Sequence, residues 1–126
     1  MLKPTPEIVP ATGDDVARYY GGIEISGQWH AKAMRKGSLV AGMGGVIETE
    51  PGVWVGFLEV PDGERKPSLY RHVIDMLNAA KASGATEIRT WCDDSIPRAE
   101  AMMRRLGFKP TDEEIDGKTV HSLRIT

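Results

Sequence analysis

The sequence predicts an α/β protein, a mixed sheet that is mostly antiparallel with one parallel pair, and three observations predict it. Three strand-like runs follow one another between Gln28 and Val60, each separated from the next by turn residues. A helical stripe beginning at Pro67 then stands between two strand-like runs, which implies a right-handed crossover joining parallel strands. A second amphipathic helix precedes the last strand. At 126 residues the chain fits one domain, residues 1–126, with enough length to bury a core.

Taken in order, Leu2 to Pro10 is punctuated by proline, and Ile8-Val9-Pro10-Ala11 reads as an edge strand because proline is costly in a central one. Thr12, Asp14 and Asp15 supply a cap and N-terminal acids to a short helix from Asp14 to about Tyr20, stopped by Gly21-Gly22. Gln28 to Met34 alternates, with Trp29, Ala31 and Ala33 on one face and His30, Lys32 and Met34 on the other. Arg35-Lys36-Gly37-Ser38 reads as a hairpin turn, and Leu39 to Ile47 as an apolar strand loosened by Gly42, Gly44 and Gly45. After the Glu50-Pro51-Gly52 turn, Val53 to Val60 is apolar enough for a strand buried on both faces.

From Pro67 the period becomes helical: Leu69, Val73, Met76 and Ala80 share a stripe that Leu77 widens. Pro67 suits a first helical position, where its missing N–H would have no partner. Ser83-Gly84 ends this helix, and Thr86 to Cys92 is rich in β-formers. A helix from about Ile96 places Ala99, Met102, Met103 and Leu106 on a core stripe and closes at Gly107 and Pro110. Lys118 to Ile125 follows the Asp116-Gly117 turn as the last strand, giving the order β-α-β-β-β-α-β-α-β. Ligands in such sheets sit at the carboxyl ends of strands where the topology changes, here Glu59–Tyr70 and Trp91–Ser95.

A net charge of −2 from interspersed charges of both signs argues against bulk capture of nucleic acid or a membrane surface. No run approaches the ~20 apolar residues of a membrane span, and the first residues lack the apolar centre of a signal peptide, so a soluble cytoplasmic protein is expected. Cys92 is the only cysteine, which excludes an intrachain disulfide and fits a reducing compartment. Inside a strand-like run it reads as a small buried hydrophobe. His30, His72 and His121 have no metal-ligand spacing, and no metal is expected. Asp93 and Asp94 read as caps of the following helix. The three tryptophans read as sheet packing, with Trp91 also placed to line a cleft between the central strands.

The element order, with Val53–Val60 leading through a basic turn into a long helix, then Thr86–Asp94, then Ala99-Glu-Ala-Met-Met-Arg-Arg-Leu-Gly-Phe108, resembles the GNAT superfamily of acyl-CoA-dependent N-acyltransferases. The segment Arg104-Arg-Leu-Gly-Phe-Lys-Pro110 is similar to that family's helix-to-strand junction, x-x-L-G-F. The resemblance implies acetyl-CoA as cofactor, held by the fourth strand and a [Q/R]-x-x-G-x-[G/A] turn. Backbone N–H groups and a helix N-terminus there favour the pyrophosphate. The pattern falls on Arg65–Tyr70, and the implied cofactor-binding residues are Val60, Arg65, Lys66, Ser68, Leu69 and Tyr70. Arg65 agrees with it, Ser68 and Tyr70 replace its glycines, and Pro67 removes one N–H donor.

The resemblance also implies Glu59 as the base that takes a proton from an acceptor amine, its pKa raised by partial burial. The family's general acid, a Tyr five residues before the junction Phe, corresponds to Met103, which has no proton to give. Acceptor specificity would lie in Gly21–Gln28 and the strand-end loops. Phe57-Leu-Glu-Val, Glu64-Arg-Lys-Pro67 and Asp93-Asp-Ser-Ile-Pro97 are similar to small GNAT-like proteins of tailed bacteriophages and prophages. That likeness implies a second reading, a non-catalytic domain serving as a virion or host-interaction component with other phage proteins as partners.

Overall fold

The computed structural model describes residues 7–20, 27–37, 39–60, 69–91 and 99–125. In chain order the elements are β1 (Glu7–Pro10), α1 (Gly13–Tyr20), β2 (Trp29–Lys36), β3 (Leu39–Glu50), β4 (Val53–Glu59), α2 (Leu69–Ala82), β5 (Glu87–Trp91), α3 (Ala99–Arg105), β6 (Lys109–Ile115) and β7 (Lys118–Arg124). The strands form one seven-stranded sheet in the order β1-β2-β3-β4-β5-β7-β6. Only β4 and β5 run parallel, the expected crossover pair. The mixed, mostly antiparallel fold class is therefore the one the sequence predicts.

One strand goes beyond the predicted order. Lys109–Ile115 pairs with β7 at the sheet edge, with a register break between Pro110 and Glu114. Pro110 sits inside a strand, which an edge position with a bulge permits. Arg35 and Lys36 likewise belong to β2, whose ladder shifts register after Met34 to reach Val40 and Leu39.

Helix α2 buries Met76, Leu77 and Ala80 on one sheet face. There Leu77 and Ala80 join Val46, Trp54, Ile88 and Phe108 in the main cluster, with Met103 and Leu106 at its border. On the opposite face Val16 of α1 packs against Ala33 and Met43, with Trp29 and Phe57 beside them. The alternation of β2 is thus realised, Ala33 toward α1 and Lys32 toward α2. Burial of β4 on both faces is not. Trp54 is 0 % exposed, but Val53 and Val55 are half-buried, because no helix among the described residues lies over them.

Two glycines set distances in the sheet. Gly45 brings β2 and β3 together rather than loosening β3, since a Cβ there would lie 2.5 Å from the His30 carbonyl oxygen. Gly52, at φ 81°, turns the β3–β4 hairpin in the left-handed region that disfavours other residues. Its carbonyl accepts the N–H groups of Thr86 at 2.8 Å and Glu87 at 3.1 Å and the Thr86 hydroxyl at 3.1 Å. The tip of the hairpin is thereby tied to the start of β5.

The predicted cap of α1 is a reciprocal one. The Asp15 N–H donates to the Thr12 hydroxyl at 3.2 Å, and the Thr12 N–H donates to the Asp15 carboxylate at 2.9 Å. The other Asp15 oxygen receives Arg35 of β2, so a buried carboxylate joins α1 to the sheet. The Arg35 hydrogen bond, followed by the Thr12 N–H, holds the Asp15 carboxyl below its ordinary 3.8. A lowered folded value means that the carboxylate stabilises the fold fully above 3.8, and that this contribution fades as pH falls through the folded value. Thermal melts should show Thr12→Ala costing about 1 kcal/mol. The stability gap between wild type and Asp15→Asn should be widest at neutral pH and close in acid. A gap independent of pH would refute the ionic role.

Candidate active site

The sheet opens at its centre. β4 and β5 pair only at Val53↔Glu87, Trp54↔Ile88 and Val55↔Arg89, yet β4 continues beside β3 to Glu59 and β5 beside β7 to Trp91. At the point of separation the Thr90 hydroxyl donates to the Gly56 carbonyl at 3.0 Å. A side chain thus takes the acceptor at which the parallel ladder stops. Gly56 adds no side chain to the gap, and a Cβ there would lie 3.9 Å from its nearest neighbours.

Each side of this fork has its own recess. On the helix side, a cavity of about 50 Å³ is lined by Gly56, Leu58 and Thr90 below and by Met76 of α2, Met102 and Met103 of α3 and the following Leu106 above. The wall is almost wholly apolar, and thioether side chains make it adaptable. On the other side, a groove of about 220 Å³ runs along Val53 and Val55 of β4, Trp91 of β5, and Ile115 and Val120. Trp91 therefore stands on one arm of the fork, facing away from α2 and α3. Beyond it, a larger recess of about 620 Å³ over β5, β7 and β6 is lined by charged and polar residues, among which Arg89 pairs with Glu87 and Glu113. Arg89 donates to Glu113, and the Ser122 hydroxyl donates to Glu87 at 2.6 Å.

Glu59 ends β4 on the fork and is exposed, so the partial burial expected of it is absent. Among the described residues it has no ion-pair partner. The Val60 side chain is buried and, with Leu69, lines a small cavity of about 20 Å³ against Met34, Met43 and Met76. The Val60 side chain belongs to the core, and that of Leu69 is half-buried beside it. Tyr70 is half-buried in the first turn of α2. Arg65, Lys66, Pro67, Ser68, Cys92, Asp93 and Asp94 lie outside the described residues, as do residues 21–26 of the expected specificity segment.

The histidines are dispersed, and no three His, Cys, Asp or Glu side chains are grouped for a metal among the described residues. His30 stacks on Trp54 with centroids 5.7 Å apart, and its Nε2 lies 2.8 Å from the Ser83 hydroxyl. His121 is buried with Nδ1 at 3.2 Å from the Thr119 carbonyl. A third contact, not legible in local sequence, has Lys32 Nζ donating to His72 Nδ1 at 2.9 Å and to Asp75 at 3.1 Å. Accepting at Nδ1 places the proton of the neutral ring on Nε2.

No family model and no curated protein matches the sequence. Solved structures do. An acetyltransferase of the GNAT family from Staphylococcus aureus aligns with TM-score 0.69 at 11 % identity, covering 97 % of this chain and 100 % of its own. A Bacillus subtilis acetyltransferase in complex with CoA aligns with TM-score 0.64 at 16 % identity, over 97 % of this chain and 100 % of its own. A GNAT family acetyltransferase from Elizabethkingia anophelis with acetyl-CoA bound gives TM-score 0.64 at 10 % identity, over 95 % and 98 %.

The chain has the GNAT acetyltransferase fold. Gly56 and Thr90, which meet where β4 and β5 part, were not singled out by the sequence. The only signals were a glycine inside an apolar run and a threonine inside a β-rich one. No helix among the described residues is long and apolar enough to cross a membrane.

The ring of His72 is held below its ordinary 6.5 first by burial and then by the charge of Lys32, with Asp75 opposing and Arg71 adding to the effect. A lowered histidine stabilises the fold fully above 6.5, and this contribution is lost as pH falls through the folded value. In an NMR titration Lys32→Met should raise the His72 midpoint and Asp75→Asn should lower it further. Unchanged midpoints in both variants would contradict the contact.

Proposed function

We propose that this protein transfers an acyl group from acyl-CoA, acetyl-CoA in the first instance, to an amine. One observation carries the reading: β4 and β5 part over an apolar gap with a recess on each sheet face, so a thioester and an amine can meet between the strands from opposite sides. The GNAT fold and its CoA-bound neighbours support it. The residues present fit the cofactor's chemistry, since the fork cavity is lined by methionines and Leu106 and suits an alkyl arm. When bound, the coenzyme supplies an activated acyl thioester.

The remaining work falls to this chain's residues. Arg65, Lys66 and Ser68, with the backbones of Val60, Leu69 and Tyr70, would hold the pyrophosphate. Gly56 keeps the fork clear, and the α2 and α3 side chains exclude water from it. Glu59, exposed at the end of β4, accepts the proton that the amine must lose before it attacks, directly or through one water. Met103 has no proton to give, so a proton for the leaving group would have to come from solvent.

A second reading, a non-catalytic GNAT-fold component of a virion or of a host-interaction surface, is favoured by Met103, which contributes to the apolar wall where an acid would serve catalysis.

Calorimetry separates the two. Acetyl-CoA should bind in the micromolar range, Arg65→Ala should weaken it, and Gly56→Leu, which fills the fork, should abolish it. No heat at millimolar acetyl-CoA would sink the enzyme reading. In turnover, Glu59→Gln should lower kcat at pH 7 by roughly 10²–10⁴-fold, the usual share of a general base. A loss below tenfold would assign the proton to water instead.

A further inference from the structure

We infer that the acceptor is a small primary amine carried on an aromatic body, bound on the sheet face opposite α2 and α3 with its ring against Trp91. This inference rests on the acyltransferase reading and adds the substrate class to it.

The register of the sheet assembles the site. Residues two apart on a strand share a face, and directly paired residues of neighbouring strands share one too. Val53, Val55 and Glu59 of β4 therefore face the same way as Trp91 of β5 and its partner Val120 of β7. The last β4–β5 pair is Val55↔Arg89. Trp91 is thus two residues beyond the separation on one arm of the fork and Glu59 four residues beyond it on the other, on the face that carries neither α2 nor α3.

Three large hydrophobic side chains are exposed among the described residues, and two of them, Trp91 at 37 % and Ile115 at 38 %, line this one groove. With half-buried Val55 they make an apolar stretch above the buried Val120, in a groove also lined by Thr49, Glu50, Glu87 and Arg89, and this stretch gains by being covered. Its volume, about 220 Å³, lies below the range of about 300–1,000 Å³ typical of drug-sized ligands, so the body is about that of one aromatic ring with a short chain.

The groove's own carboxylates, Glu50 and Glu87, favour a cationic ligand, and Glu59 stands beyond the groove at the end of β4. Arg89, the basic residue of the groove, is held by Glu113. Glu59 has no ion-pair partner among the described residues. An ammonium group is drawn to Glu59 and to the face of the Trp91 indole, while its ring lies back over Val55 and Ile115. An extended polyamine would leave this stretch wet, and a carboxylate or phosphate at the fork would meet Glu59.

Phenethylamine is the probe. In ¹⁵N-labelled protein the three indole N–H resonances are separable, and Trp91→Phe assigns the one that faces the groove. Titration should shift that resonance and leave those of Trp29 and buried Trp54 in place. Trp91→Ala, a change at an exposed position, should weaken binding at least tenfold. With acetyl-CoA, kcat/KM for phenethylamine should exceed that for spermidine or a lysine-containing peptide at least tenfold. An unmoved Trp91 resonance, or preference for spermidine or the peptide, overturns the inference. Acetyl-CoA is titrated separately. If it binds while the amine leaves Trp91 unmoved, the acceptor inference fails and the acyltransferase reading stands. If it fails to bind while the amine shifts Trp91, the acyltransferase reading fails and the aromatic-amine site stands.

Discussion

The hydroxyl of Thr90 holding the carbonyl of Gly56 is a contact on which the centre of the molecule depends. Four residues earlier, just ahead of β5, Thr86 is bound to the Gly52 carbonyl. The parallel pair is therefore fastened at both ends of a ladder of three residue pairs. Past the second fastening each strand follows its other neighbour, β4 with β3 and β5 with β7, and their directions diverge. A hydrogen bond of this kind contributes only about 0.5–1.5 kcal/mol net. Its importance is positional, because it marks where the gap begins.

Much of the fold is written in local patterns. The stripe Val73, Met76, Leu77, Ala80 is the buried face of α2, and the Thr12–Asp15 cap starts α1 where capping chemistry requires. The two faces of β2 were legible because alternation is a short-range signal. β6 was not, because an edge strand containing Pro110, Asp112, Glu113 and Glu114 buries too little to show a period. The exposure of Val55 and Glu59 also escaped the sequence. An apolar run says that a strand wants covering and is silent about whether a helix is available to do it.

The candidate site was legible in position and obscure in construction. The carboxyl ends of β4 and β5 were the places to look, and the parting lies there. Its parts come from distant stretches of chain: Gly45, Gly56, Met76, Thr90 and Met103 all line one cavity. The Lys32–His72 contact spans 40 residues of sequence for the same reason. No local window contains such a set. The structures with the same fold share only 10 to 16 % identity with this chain. Hydrophobic placement and turn chemistry suffice to specify the architecture, while site chemistry varies upon it.

The two outermost strands have a consequence for how copies of the protein meet. β1 carries Pro10 and β6 carries Pro110 together with a bulge and a run of acids. Each proline removes a donor from its edge, and the acids of β6 repel a second copy laid alongside. The sheet is closed to growth by addition of strands. Concentrated protein should resist fibrous association even though its centre is held open, and any assembly of copies has to be built from faces and helices.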